Sequence, residues 1–162
     1  VIKNAILDPG DQFHIGIVAA DFEATVARLT EVLGYEWGPE VGGAVAVDLP
    51  GGNVAELDLR CAYSITVPRL EVVRSVAGTL WDPAGEAGVH HIGYWSADVA
   101  ADAAALAERG YLVEASRPGP QGGLFFAFLR SAEGFRVELV DRAAESSLAQ
   151  CWAAPPTPGG AA

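Results

Sequence analysis

The chain repeats itself. Phe13 to Tyr35 (FHIGIVAADFEATVARLTEVLGY) aligns with His90 to Tyr111 (HHIGYWSADVAADAAALAERGY), with an offset of 77 from His14/His91 through Asp21/Asp98 and 76 at the two Gly-Tyr pairs. A second pair closes each copy: RLEVVR (Arg69 to Arg74) and RVELVD (Arg136 to Asp141), at an offset of 67. The residues missing from the second copy fit a shortened hairpin, where length is least costly to lose. A duplicated unit restricts the fold strongly, because both copies must bury the same faces in the same way.

Each copy reads β-α-β-β-β. Phe13, Ile15 and Ile17 alternate with His14, Gly16 and Val18, the pattern of a half-buried strand. Asp21 and Asp98 stand as N-caps before helices with apolar stripes at Phe22, Val26, Leu29, Leu33 and at Val99, Ala103, Leu106. Gly34 and Gly110 end those helices. Later strands are expected around Leu57–Ile65, Arg69–Val73, Tyr111–Ser116, Leu124–Leu129 and Phe135–Val140, with a glycine-blurred strand near Trp37–Val47. One such unit cannot cover both faces of its own sheet, so the halves must pair. The expected fold is α+β, two tandem βαβββ modules forming a curved, mostly antiparallel eight-stranded sheet around a cleft. Residues 1–11 read as an N-terminal extension, 12–75 and 89–142 as the modules, 76–88 as a linker and 143–162 as a flexible tail rich in Ala, Pro and Gly.

With 162 residues, this is one domain or two half-domains sharing a core. A formal charge of −11 argues against nucleic acid or an anionic membrane as partner. A small-molecule ligand remains compatible. Cys61 and Cys151 form no CxxC pair, which points away from a disulfide framework and towards a reducing, cytoplasmic setting. No apolar run is long enough to span a bilayer, and no secretory signal is visible.

Strand parity selects the candidate site. Residues i and i+2 share a face. If Leu70 and Val72, Val137 and Leu139, Ile15 and Ile92 face the helices, then Glu71, Glu138, His14 and His91 all face the other way. Two imidazoles and two carboxylates converging on a cleft are costly to bury unless paired or bound to a cation. That donor set suits a divalent ion of intermediate hardness: Zn, Ni, Co, Mn or Fe. His90 aligns with Phe13 and is expected to pack or to support His91. Trp95 shares the parity of His91 and is the best cleft aromatic among Trp37, Trp81, Tyr94 and Trp95. Arg60, Arg117 and Arg130 are candidates to anchor an anionic group, with Arg60 and Arg130 preferred. Gly119 to Gly123 reads as a hairpin turn, with a lid or anion loop as the alternative.

The segments FHIGIVAAD, HHIGYWSAD and SAEGFRVELVD resemble the vicinal oxygen chelate (glyoxalase/bleomycin resistance/dioxygenase) superfamily over residues 12–142. The resemblance implies that His14, Glu71, His91 and Glu138 are metal ligands, a set similar to that of bacterial glyoxalase I. Methylmalonyl-CoA epimerases are similar but usually carry Gln at the position of Glu71. It further implies proton abstraction beside a carbonyl through an enediolate or enolate, by a lyase, isomerase or epimerase, with Glu138 as first candidate base, Glu71 as second and Asp58 as a separate possibility. A homodimer is expected on the same ground. The competing class is a metal-free protein of the same fold that binds a small antibiotic or natural product.

Overall fold

Asp21 and Asp98 open their helices as expected: each carboxylate accepts the backbone N–H three residues on, of Ala24 at 2.9 Å and Ala101 at 3.0 Å. The computed structural model describes residues 5–82 and 88–153. Its elements run β1 (Gln12–Ala19), α1 (Phe22–Leu33), β2 (Val41–Leu49), β3 (Asn53–Tyr63), β4 (Leu70–Arg74), β5 (His91–Ser96), α2 (Val99–Glu108), β6 (Leu112–Pro118), β7 (Leu124–Arg130), β8 (Arg136–Asp141) and α3 (Glu145–Ala153). No helix among the described residues is long and apolar enough to cross a membrane.

The eight strands close into a barrel ordered β1-β4-β3-β2-β6-β7-β8-β5. Only β1–β4 and β5–β8 are parallel; every other neighbouring pair is antiparallel. Alternation sorts the side chains as the strand parity predicts. Ile15, Ile17, Leu70 and Val72 go outward under α1 with Phe22, Val26 and Leu29. Tyr94, Val137 and Leu139 go outward under α2 with Val99, Ala103 and Leu106. The opposite faces turn into the barrel, where Val18, Val47, Val73, Ala115, Phe126 and Phe128 form an interior core. Leu33 leaves the stripe: it is exposed, in the last turn before the left-handed Gly34 cap.

The modules meet at two seams of unequal strength. β1 and β5 pair through Gln12–Tyr94, His14–Gly93, Ile15–Ile92 and Gly16–His91, whereas β2 and β6 pair only at Asp48–Ser116. The connection 76–88 is more than a linker where it is described. Its Trp81 is 2 % exposed and sits edge-on to Phe126 and Phe128 inside the barrel. The stretch from residue 143, expected to fray, carries α3 instead. Trp152 of that helix anchors it, edge-on to Tyr63 at 5.3 Å and beneath the Arg69 guanidinium at 4.2 Å. Residues 154–162 of the expected tail lie outside the described residues.

Candidate metal centre

The register of four strands builds the site as two rows. Glu71 on β4, Gly16 on β1 and His91 on β5 stand side by side; so do His14 on β1, Gly93 on β5 and Glu138 on β8. Each row has a glycine in the middle, and the outer side chains meet above it. Nε2 of His91 lies 3.0 Å from Oε2 of Glu71, and Nε2 of His14 lies 3.1 Å from Oε2 of Glu138. Between rows, His14–Glu71 and His91–Glu138 are both 3.4 Å, and the two Nε2 atoms are 3.0 Å apart. The duplication is thus written into the distances as an approximate two-fold.

The glycines explain the His-Ile-Gly triplet present in both copies. A Cβ on Gly16 would fall 1.9 Å from Cε1 of His91, and one on Gly93 would fall 1.9 Å from Cε1 of His14. Neither glycine has a positive φ, so space and not backbone freedom requires them. Gly16→Ala is expected to cost about 1–3 kcal/mol through overpacking and to displace the His91 ring. Urea unfolding and a zinc titration measure both effects; unchanged zinc affinity would mean the ring has slack there.

All four side chains are buried, the histidines at 1 % exposure and Glu71 and Glu138 at 5 % and 7 %. Their ligating atoms lie within 4.8 Å of one another. Five of the six separations among these atoms are 3.0–3.4 Å, the spacing of donors that share one ion at bonds of about 2 Å. Oε2 of Glu138 has no aligned hydrogen-bond partner among the described residues despite its burial, the mark of an acceptor meant for something else. The donor set and spacing therefore fit a divalent cation. Burial alone would lower the pKa of His14, but the Glu71 and Glu138 carboxylates outweigh it and raise it to about 9. His91 is raised for the same reasons, burial again opposing. Against the pull of burial, the histidines hold Glu71 well below the ordinary carboxylate value and Glu138 below it.

His90 supplies what the sequence could not. Its Nε2 lies 2.6 Å from the carbonyl oxygen of Leu80, which can only accept, so Nε2 carries the proton and Nδ1 is an acceptor. Nδ1 of His91, 2.9 Å away, donates to it, so Nε2 is the nitrogen of His91 that gives up its proton and turns a lone pair to the cluster when a cation binds. Burial and the charge of His91 push His90 down to about 4, keeping it neutral for this part. Nδ1 of His14 has no such partner among the described residues.

Glu71 and Glu138 wall a cavity of about 270 Å³ inside the barrel, lined further by Tyr63, Val73, Trp81, Phe126, Phe128 and, from α3, Leu148 and Cys151. Trp95 lies elsewhere. It stacks on Phe13 at 3.7 Å and borders a second cavity of about 470 Å³ with His14, Arg69 and Trp152. The inward turn of Trp95 was expected; its burial against Phe13 keeps it out of the glutamate-walled space. Trp37 belongs to the core under α1 and Tyr94 to that under α2. Arg60 borders the first cavity, but its Nε is held 2.9 Å from Asp58. Asp58 is exposed, paired to Arg60 and outside the lining, away from the cluster. Arg130 reaches out to Glu114 at 4.0 Å, half exposed, and lines neither cavity. Arg117 lines the first cavity in its place.

Comparison with solved structures finds the same fold elsewhere. Streptomyces coelicolor methylmalonyl-CoA epimerase, as a point variant with 2-nitronate-propionyl-CoA, is similar at 26% identity, with 83% of this chain and 98% of that one covered and a TM-score of 0.57. The Mycobacterium tuberculosis methylmalonyl-CoA epimerase shares the fold at 16% identity, covering 91% and 97%, with a TM-score of 0.60. A 4-hydroxymandelate synthase mutant from Streptomyces coelicolor shares it at 20% identity over 81% of this chain and 38% of that one, TM-score 0.51. No curated protein sequence matches the chain. Residues 13–128 match a family profile, and with the duplicated βαβββ unit, the closed sheet and the paired His and Glu residues, this chain belongs to the Glyoxalase/Bleomycin resistance protein/Dioxygenase superfamily.

Proposed function

We propose that the protein is a metal-dependent enzyme that removes a proton from the carbon beside a substrate carbonyl, as an epimerase, isomerase or lyase. The observation that carries this reading is the buried His14, Glu71, His91, Glu138 cluster, whose two glutamates wall a cavity. Likeness to methylmalonyl-CoA epimerase supports the reaction type. The second reading, a metal-free binding protein, draws on the aromatic walls at Trp81, Phe126 and Phe128. It leaves four buried polar groups without a purpose, and burial of that kind is costly.

A divalent ion held by the four residues supplies a Lewis acid that acidifies the C–H beside a carbonyl. The chain supplies the proton carrier. The two glutamates face the cavity from opposite rows but have different neighbours. Glu71 pairs in register with Tyr63, whose phenol, like the Cys61 thiol, is kept protonated by burial and by the Glu71 charge. Both hydroxyl and thiol therefore keep a proton to offer the neighbouring Glu71 carboxylate. Glu138 pairs in register with Phe128, which offers no donor. Glu138 is the freer carboxylate and the proposed base: it takes the C–H proton, leaving an enolate, and returns it to the same or a neighbouring carbon.

Two measurements test this together. Protein purified without added metal should contain about one divalent ion per chain, since the four donors form a single cluster. It should then catalyse C–H exchange in deuterated water on a 2-methyl-acyl-CoA or a 2-oxoaldehyde–thiol adduct. Glu138→Gln should slow exchange by about 10²–10⁴-fold while Glu71→Gln mainly weakens the ion. Metal-free protein that takes up no zinc, nickel, cobalt, manganese or iron, and exchanges nothing, favours the binding-protein reading.

A further inference from the structure

The glutamate-walled cavity has a second charged feature, at the weak seam of the barrel. β2 and β6 are paired only at Asp48–Ser116. Continued in that register, Val45 and Val41 come level with Gly119 and Gly123, but there the chain has already turned back, through a hairpin closed by Gly119 N–H to Gly123 O at 3.0 Å. The barrel wall is therefore incomplete beside Val41, Gly42 and Val45, which line the cavity. Arg117 stands next to this gap. It is opposite Phe126 in the β6–β7 register, and Phe126 belongs to the barrel interior, so Arg117 shares the inward face of Ala115. Its Cζ sits 5.0 Å from the centre of the Phe125 ring.

Of the two arginines lining the cavity, Arg60 is paired and Arg117, among the described residues, is not. It lines the cavity; it has no salt bridge among the described residues; and it belongs to a chain with 21 acidic residues against 10 basic ones, where partners are plentiful. Arg60, Arg74, Arg130, Arg136 and Arg142 are all paired. A guanidinium stacked on an aromatic ring and left unpaired towards a cavity is a receptor for an anionic oxygen group. The opposing wall carries Glu71 and Glu138, each paired with a histidine, whereas Arg117 has no counter-charge among the described residues, so an anion entering the cavity is drawn to the Arg117 end.

We propose that Arg117 is the anion receptor of this cavity, and that the substrate is a small carbonyl compound with an apolar or aromatic body and an anionic group at the end remote from its reacting carbon. The substrate half of the proposal rests on the carbonyl chemistry proposed above; the receptor half does not. The volume agrees with a small ligand: about 270 Å³ is about nine water molecules at roughly 30 Å³ each. A bulky carrier would have to remain outside, at the gap.

The test measures binding by calorimetry to zinc-loaded protein with two charge-matched pairs: 3-benzoylpropionate against its methyl ester, and propionyl-CoA against propionyl-pantetheine. The charged member of at least one pair should bind about 10–100-fold more tightly, the value of a charge-assisted hydrogen bond. Arg117→Gln should bring that ratio to near unity at an unchanged melting temperature, Arg117→Lys should keep part of it, and Arg28→Gln, on the exposed face of α1, should leave it intact. Preference confined to the first pair puts the anion on the substrate itself; preference confined to the second puts it on the carrier, which upholds the receptor and overturns the small-anion substrate. Equal affinities in both pairs, no binding of any probe, or a preference that survives Arg117→Gln overturns the receptor. Repeating the titrations on chelator-stripped protein separates the two readings. An Arg117-dependent preference that persists without metal stands even if the metal chemistry fails, while one lost on stripping but kept in Arg117→Gln belongs to the metal centre.

Discussion

Alanine at His91 is expected to leave the protein unable to retain a divalent ion, with affinity reduced at least about a hundredfold, more than an outer-shell change produces. His91 contributes a donor to the cluster and occupies the space kept open by Gly16. Its removal leaves two carboxylates facing one imidazole, with a void where the ring stood. His14→Ala should lose the ion equally, since it takes the matching place in the other row. His90→Ala separates ligation from support. His91 would keep its position but lose the acceptor for Nδ1–H, and with it the fixed tautomer. A loss of about 10–100-fold is the range for such partners. Metal content after dialysis and competition with a chromophoric chelator give all three affinities. A His91→Ala protein that keeps one ion per chain at wild-type affinity would remove His91 from the centre.

The donors were legible because a strand repeats every two residues and both copies use the same faces. Counting alternate residues from Ile15, Leu70, Ile92 and Val137 is enough to turn His14, Glu71, His91 and Glu138 inward. The glycines at 16 and 93 were visible in the His-Ile-Gly repeat, but their purpose depends on which strand lies next to which. That register is a long-range property. The support from His90 depends on a carbonyl at Leu80, in a segment with no strand or helix pattern. The arginines divide in the same way. Bulges between Val113 and Ala115 and again after Arg117 break the count along β6, so the face of Arg117 cannot be reached by alternation. Arg130 sits on a regular strand but is drawn outward to Glu114. Near Trp37–Val47 the observed strand is β2, starting at Val41, and Gly42 and Gly43 at φ 113° and 157° obscure its propensity. Helix α3 carries little apolar periodicity; Trp152 docking on Arg69 and Tyr63 holds it, and neither partner is near in sequence.

Metal-free protein is expected to lose about 3 kcal/mol of stability as pH rises from 6.5 to 9, the equivalent of the His14 shift at 1.36 kcal/mol per pH unit. The sign follows from the direction. Burial opposes the charged ring, but the neighbouring carboxylates raise His14 from 6.5 to about 9, so the folded state holds a proton that the unfolded state releases. Stability from that proton is complete below pH 6.5 and is lost as pH climbs through 9; His91, also raised, acts in the same sense. His90 does not blur this window, because its value, lowered to about 4 by burial and the charge of His91, changes stability only between about 4 and 6.5 and in the opposite sense. At the acid end, the depressed Glu71 and Glu138 add stability above their unfolded value of 4.5 that is lost as pH falls below it. A bound cation reverses the alkaline half. It takes the place of the proton between the same atoms, so metal binding must release that proton below pH 9 and faces no competition above it. The melting-temperature gap between zinc-loaded and stripped protein should therefore widen from pH 6.5 to 9, and calorimetry in buffers of different ionisation enthalpy should record at least about one proton released per zinc at pH 7. A gap that stays constant over that range, with no proton released, would mean that the cation and the His14 proton do not compete for the same four-atom site.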